Sequence, residues 1–331
     1  MQDAYKRSPG SGKGGTSSRA VNLSTLRFGT AESRALPLAR AIFLTAIALA
    51  LICLTACDHR QRIVVGCKNF TEQIILGELI AQQIENKTHL PVERRFYLGG
   101  TYIAHQSILA GRIDIYPEYT GTALTAILKQ KPPGGAGSDP ERVFDRVKSE
   151  YEKRFHLTLG PPFGFNDTFA IEIRGEDARR LHLQTISQSA AYTPQWRAGF
   201  GYEFMERPDG YKGLVATYGL RFAAPPRIMD LGLLTRALKN RQVDVIAGNM
   251  TDGLIPALDL FVLDDDKHYF PPYEAVPVIR EQTLSVHPEV RQVLNDLAGK
   301  ISDAEMRELN YAVDGQKRDV KDVVRDLLRG K

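Results

Sequence analysis

The chain is poor in cysteine, in tryptophan and in long apolar runs, and each shortage rules something out. Of its 331 residues only three are Cys and one, Trp196, is Trp. Cys53 lies inside an apolar run and Cys57 ends it, so no cysteine pair with metal-ligand spacing is left to a folded domain. There is no His-Glu-x-x-His helix, no Gly-x-Ser-x-Gly elbow and no other nucleophile–base set. Catalytic residues, a metal and a cofactor are therefore not expected. The run Ala41 to Ala56 has sixteen residues, short of the ~20 that a membrane span needs. Gly10-Ser-Gly-Lys-Gly14 has the composition of a phosphate loop, but no strand precedes it and no Ser or Thr follows its lysine. Charge is not one-sided either, with 43 Lys and Arg against 39 Asp and Glu.

What the N-terminus does have is the pattern of an export signal. Residues 1–40 are polar and carry seven Lys or Arg against Asp3 and Glu32; the apolar run follows and ends in Leu54-Thr-Ala-Cys57. A basic region, a short apolar core and small residues at its end make a secretory signal. The ending resembles a bacterial lipobox, which implies cleavage before Cys57 and lipidation of that cysteine. Residues 1–56 are thus expected to be the signal and 57–61 a short tether, with the folded body held close to the membrane. Without the signal the balance is 36 basic against 37 acidic residues. That excludes the basic face of a nucleic-acid binder. Cys67 then has no partner, so the exported body depends on its core rather than on a disulfide. About 275 residues suffice for one or two α/β domains.

Periodicity outlines the body. A strand is expected over Arg62 to Gly66, then a helix capped by Asn69 with Glu72 completing a capping box, and with Ile75, Leu76, Leu79, Ile80 and Ile84 on its apolar face. Val92, Arg94, Phe96 and Leu98 alternate as a strand, a helix runs from Thr101 to Gly111, and Ile113 to Tyr116 gives another strand. Successive βα units argue a mainly parallel sheet. Asp139 and Pro140 open a further helix buried through Val143, Val147 and Tyr151. The alternation Phe169, Ile171, Ile173 starts a second α/β unit, and a strand over Ala275 to Ile279 returns to the first. This predicts one lobe from 62–165 plus 271–331, a second from 166–270, and two crossings that form a hinge.

Two stretches stand out as ligand loops. Asp114-Ile-Tyr-Pro-Glu-Tyr-Thr-Gly-Thr122 reads as a strand running into a tight turn at Gly121, with threonines able to cap the next turn. Ile108 to Ile115 is echoed by Ala237 to Ile246, and each copy leads into a polar loop: Tyr116 to Thr122 in the first, Gly248-Asn-Met-Thr-Asp-Gly253 in the second. Two such loops facing each other make an interlobe cleft suited to a small molecule.

Six motifs in order carry a family resemblance: Val64-Val-Gly-Cys-Lys-Asn-Phe-Thr-Glu-Gln73, Leu98-Gly-Gly-Thr101, Asp114 to Thr122, Arg207-Pro-Asp-Gly210, Val243-Asp-Val-Ile246 and Phe270-Pro-Pro-Tyr273. Together they resemble the substrate-binding proteins of glycine betaine/carnitine/choline-type ABC importers. The resemblance implies a two-lobed α/β, type II periplasmic-binding-protein fold that is not an enzyme. It also implies a separate permease and cytoplasmic ATPase, and a monomer lipid-anchored outside the inner membrane. Such proteins hold a quaternary ammonium in an aromatic box through cation–π attraction, about 0.5–2 kcal/mol per ring, and grip its carboxylate with basic residues. The matching box positions are Tyr119, Phe169 and Tyr273; the fourth falls on Asn249, where relatives commonly carry tyrosine. Lys68, Thr122 and Arg207 fall on the carboxylate positions. The implied ligand is a small zwitterion such as glycine betaine. Asn249 leaves carnitine or ergothioneine open, and two cations disfavour choline. An extracytoplasmic sensor module is the alternative from another class.

Overall fold

The computed structural model describes residues 62–132 and 139–330, so the expected signal, Cys57 and the tether lie outside the described residues. The strands in chain order are β1 (Ile63–Gly66), β2 (Val92–Arg95), β3 (Ile115–Tyr119), β4 (Leu157–Leu159), β5 (Phe169–Arg174), β6 (Ala198–Phe200), β7 (Arg227–Ile228), β8 (Val245–Asn249), β9 (Leu260–Leu263) and β10 (Ala275–Arg280). They form two five-stranded sheets, in the orders β2-β1-β3-β10-β4 and β7-β6-β8-β5-β9. In the first, β1 is parallel to β2 and β3, while β10 is antiparallel to β3 and β4. The second repeats the scheme: β6 is parallel to β7 and β8, and β5 is antiparallel to β8 and β9. The echo in the sequence is therefore a repeat of topology. Tyr119 and Asn249 end equivalent strands, Tyr119 opposite Ala275 and Asn249 opposite Phe169.

Strands covered on both faces read as apolar runs, and all five residues of β3 are buried. Ile115 and Tyr119 face a core shared with Ile75, Leu76, Leu79 and Ile84 of the helix Thr71–Thr88. Tyr116 faces a second core with Val143, Val147 and Tyr151 of the helix Pro140–Phe155. That helix starts as expected, Asp139 accepting the Glu141 N–H at 3.0 Å. The C-terminal helices Asp303–Asp314 and Val320–Gly330 pack on Thr71–Thr88.

The chain leaves the first sheet after β4, enters the second at β5 and returns between β9 and β10. The crossings run antiparallel side by side: Asn166 bridges Glu274, the Asp167 N–H donates to the Tyr273 carbonyl at 3.1 Å, and the Tyr273 N–H donates to Asn166 Oδ1 at 2.6 Å.

Two local expectations are corrected. The first helix begins at Thr71 with Phe70 in the cap position, and no side chain caps it. Asn69 and Glu72 form no capping box, because long-range partners take the Glu72 carboxylate (below). The threonines after Tyr119 do not cap either. Thr120 Oγ1 donates to the Pro272 carbonyl at 3.2 Å and accepts the Glu274 N–H at 3.1 Å, tying the loop to the returning crossing.

Candidate ligand-binding site

Six segments of chain deliver the seven singled-out side chains to one place. Lys68 lies between β1 and its helix, and Tyr119 and Thr122 at the carboxyl end of β3. Phe169 opens β5, Arg207 follows the short helix Tyr202–Glu206, Asn249 ends β8, and Tyr273 precedes β10. All seven line a cavity of about 230 Å³ between the two sheets. The carboxyl ends of parallel strands beside a change of strand order are where α/β sheets leave such a crevice. Two of the box rings touch, Phe169 and Tyr273 meeting edge to face with centroids 5.7 Å apart, while the third, Tyr119, stacks on Phe70 at 6.3 Å.

Each cation already has a carboxylate. Lys68 Nζ pairs with Glu118 and lies 5.2 Å from the Tyr119 ring centre. Arg207 forks onto Asp209, Nε to Oδ1 at 2.9 Å and Nη2 to Oδ2 at 2.5 Å, and its Nη1 donates to Thr122 Oγ1 at 3.0 Å. Asp209 also accepts from Tyr273 Oη and from Thr125 Oγ1, the latter at 2.8 Å. The guanidinium lies 4.9 Å from the Phe169 ring centre and 5.7 Å from that of Tyr273, so a protein cation rests on two of the three box rings. Burial opposes both charges, yet their attraction prevails: it holds the Asp209 carboxyl below the usual carboxylate range and the Arg207 guanidinium above its own.

A second polar knot joins the sheets. Glu72 accepts from Tyr119 Oη at 2.6 Å, from Asn310 Nδ2 at 3.0 Å and from Thr251 Oγ1. The same hydroxyl lies 2.8 Å from Asp167 Oδ1. Thr251 has one proton for two carboxyl groups, so the other contact requires a proton on Glu72 or Asp167. Burial pushes both pKa values up, and the Glu72 charge raises that of Asp167 further. One proton held between the two carboxyls fits both the contacts and the direction of these shifts.

Residues 61–330 match the family described as the substrate binding domain of the ABC-type glycine betaine transport system. The chain belongs to this family. A Listeria monocytogenes protein, carnitine transport binding protein OpuCC, is 37% identical over 276 residues, which is 82% of this chain and 87% of that protein. The Helicobacter pylori ergothioneine transport permease/ergothioneine binding protein EgtU is 37% identical over 286 residues, 86% of this chain and 50% of that protein. A crystal structure of a glycine betaine/carnitine/choline ABC transporter protein superposes with a TM-score of 0.67 at 34% identity, covering 81% of this chain and 98% of the other. The fold is that of the two-lobed, type II periplasmic binding proteins. Substrate-binding proteins of ABC importers are extracytoplasmic and work with permease and ATPase components. Among the described residues no helix is long and apolar enough to cross a membrane.

In this substrate-binding domain the sequence reading missed Phe70, Thr101, Asp167 and Glu203, which also line the cavity. Glu203 accepts the Thr101 N–H across the cleft and its hydroxyl at 3.1 Å. Phe70 and Thr101 sit inside recognised motifs and were open to discovery. Asp167 sits beside an expected crossing, but nothing local marks its partners. Trp196 stacks on Tyr192 and is not part of the cavity wall.

Gly121 serves the site by a different route from the expected turn. Its backbone is helical, and a Cβ there would lie 2.6 Å from the Pro272 carbonyl oxygen and 2.7 Å from the Tyr273 ring. Gly121→Ala is expected to displace that ring. The cost should be about 1–3 kcal/mol of stability and roughly tenfold in ligand affinity. Denaturant melts and calorimetric titration check this; two unchanged values would mean the ring is not held by this contact.

Proposed function

We propose that the protein is the solute receptor of an ABC importer for a zwitterionic quaternary-ammonium carboxylate of the glycine betaine kind. In this reading the ammonium rests among Tyr119, Phe169 and Tyr273, and the carboxylate meets Arg207, Thr122 and Lys68. The observation that carries it is the convergence of these six side chains and Asn249 on one cavity. The charges agree with a zwitterion: Lys68 and Arg207 line the cavity together with Asp167, Glu203 and Asp230, so the wall carries groups of both signs. A methylated ammonium has no N–H to donate, and ring faces bind it without asking for one. Arg207 keeps N–H directions that Asp209 and Thr122 do not use, and these are what a carboxylate gains. Because both cations are already paired, the case against choline rests on those free N–H directions rather than on net charge.

Residues 62–165 with 271–331 form one lobe in this reading and 166–270 the other, a division in keeping with how the strands sort into sheets. The lipid would sit on Cys57, anchoring a monomer to the inner membrane, with Asp58 resembling the sorting residue for retention there. The test is calorimetric titration of the full chain with glycine betaine, proline betaine, carnitine, ergothioneine, choline and an ordinary amino acid. A carboxylated betaine should bind best; choline binding best would overturn the carboxylate assignment, and no betaine binding would overturn the site. Mass spectrometry of membrane-extracted protein should show a diacylglyceryl cysteine at the new N-terminus, and an intact N-terminus would refute the anchor.

A further inference from the structure

The short helix Tyr202–Glu206, which follows β6, touches the body of the first sheet at two points one turn apart. Arg207 at its end meets Thr122, and the Arg207 N–H donates to the Glu203 carbonyl at 2.9 Å. The Glu203 side chain reaches the helix Thr101–Leu109, which follows β2. Gly100 stands in the cap position of that helix and has no side chain to offer. Glu203 supplies the cap instead: one oxygen accepts the Thr101 N–H, and the other accepts the Thr101 hydroxyl at 3.1 Å. A carboxylate suits this place, because the first N–H groups of a helix have no partner within it and carry partial positive charge. Gly100 makes the approach possible, since a Cβ there would run into the Glu203 carboxylate, 2.6 Å from its Cδ. The crossings use β4 and β10 of one sheet and β5 and β9 of the other. β2 lies at the opposite edge of its sheet and β6 lies beyond β8 in its own, so by strand order the tie spans the cleft away from the crossings.

Resting on the receptor reading above, we infer that Glu203 is a positioning residue that latches the two lobes closed over the ligand. In that reading Thr101 belongs to one lobe and Glu203 to the other. Parting the lobes then breaks both hydrogen bonds and strips the helix of its cap. Ligand and latch are joined through one short helix: a carboxylate that draws in Arg207 brings Glu203 against Thr101 by the same movement. Affinity for a ligand held in the closed state scales with the fraction of molecules that are closed. The latch thus sets how long a ligand stays, whereas Arg207 sets which ligand is taken.

The test combines hydrogen exchange at the Thr101 amide, read by NMR, with stopped-flow kinetics on the full chain and its variants Glu203→Ala, Glu203→Gln and Gly100→Ala. The ligand is whichever of glycine betaine, proline betaine and carnitine binds the native chain most tightly. Glu203→Ala should speed exchange at Thr101 about tenfold and weaken the ligand about tenfold, through faster dissociation with little change in association. Glu203→Gln keeps a carbonyl acceptor without the charge and should fall between. Gly100→Ala is the discriminating variant, since its methyl group displaces the Glu203 carboxylate and leaves the charge near the cavity. It should release ligand as fast as Glu203→Ala does, and the two changes combined should be no worse than either alone. Native affinity in Gly100→Ala would mean that Glu203 acts on the ligand directly, and losses that multiply in the double variant would mean two separate defects; either result overturns the latch. Equal Thr101 exchange in native protein and Glu203→Ala overturns it as well. If none of the three ligands binds the native chain, the betaine reading falls, and hydrogen exchange alone then decides the latch.

Discussion

Replacing Arg207 with Ala is expected to weaken glycine betaine by a hundredfold or more while choline loses only a few-fold. Each charge-assisted hydrogen bond to a carboxylate contributes about 1.5–3 kcal/mol, and two such bonds are within reach of one guanidinium. Choline has no carboxylate, so it should feel only the changed packing on Phe169 and Tyr273, whose ring centres lie 4.9 and 5.7 Å from the guanidinium. The variant will also lose stability, because Asp209 keeps its burial and loses its counter-ion; breaking a buried pair in this way costs about 3–5 kcal/mol. Thr125 and Tyr273 still donate to that carboxylate, which favours the lower end. A double variant, Arg207→Ala with Asp209→Asn, removes the stranded charge. Its stability should recover most of the loss while its affinity for glycine betaine stays low. Recovery of both together would mean that Arg207 only holds the fold, and equal losses for choline and glycine betaine would remove it from the carboxylate site.

Local chemistry made most of the architecture legible. The apolar face of the first helix, through Ile75, Leu76, Leu79, Ile80 and Ile84, is buried as its periodicity requires. Val143, Val147 and Tyr151 are buried likewise on the helix that Asp139 caps. The echo between residues 108–115 and 237–246 proved to be two copies of one strand scheme, with Tyr119 and Asn249 at matching ends. What could not be read was partnership at long range. Glu72 fits a capping pattern within three residues, yet its carboxylate is taken by Thr251, 179 positions away, and by Asn310, 238 away. A local rule has no knowledge of such partners, and a buried carboxyl follows whichever donors reach it. Arg207 was legible as a cation but not as one already forked onto Asp209 and stacked on two rings. Gly121 was legible as a glycine the loop needs, but the need is the approach of Tyr273 and not a left-handed turn.

One proton held between Glu72 and Asp167 has the largest consequence for pH. Both carboxyls have folded-state pKa values above their ordinary 4.5 and 3.8. A group raised in this way contributes stability that is complete below its unfolded value and is lost as pH rises through its folded value. Each proton so held gives a slope of about 1.4 kcal/mol per pH unit. Native protein should therefore lose stability from about pH 4.5 upward, until the pair has given up its proton. Deprotonation then leaves two carboxylates around one Thr251 hydroxyl at the join between the two sheets, so ligand affinity should fall in the same range. Glu172 and Asp252 add slopes of the same sign, since burial raises both, Asp252 to about 6. His105 acts oppositely: burial lowers its pKa to about 4, and its contribution is lost as pH falls below about 6.5. The variant Glu72→Gln isolates the pair from these others. Its amide N–H stands in for the shared proton toward Thr251, and its carbonyl still accepts from Tyr119. Crowding against the Asn310 amide lowers its stability by a roughly constant amount at every pH. Denaturant melts from pH 5 to 9 should show the native slope steeper than that of the variant by up to about 1.4 kcal/mol per unit. Parallel slopes would mean that Glu72 and Asp167 hold no common proton, and Thr251 would then bond to only one of them.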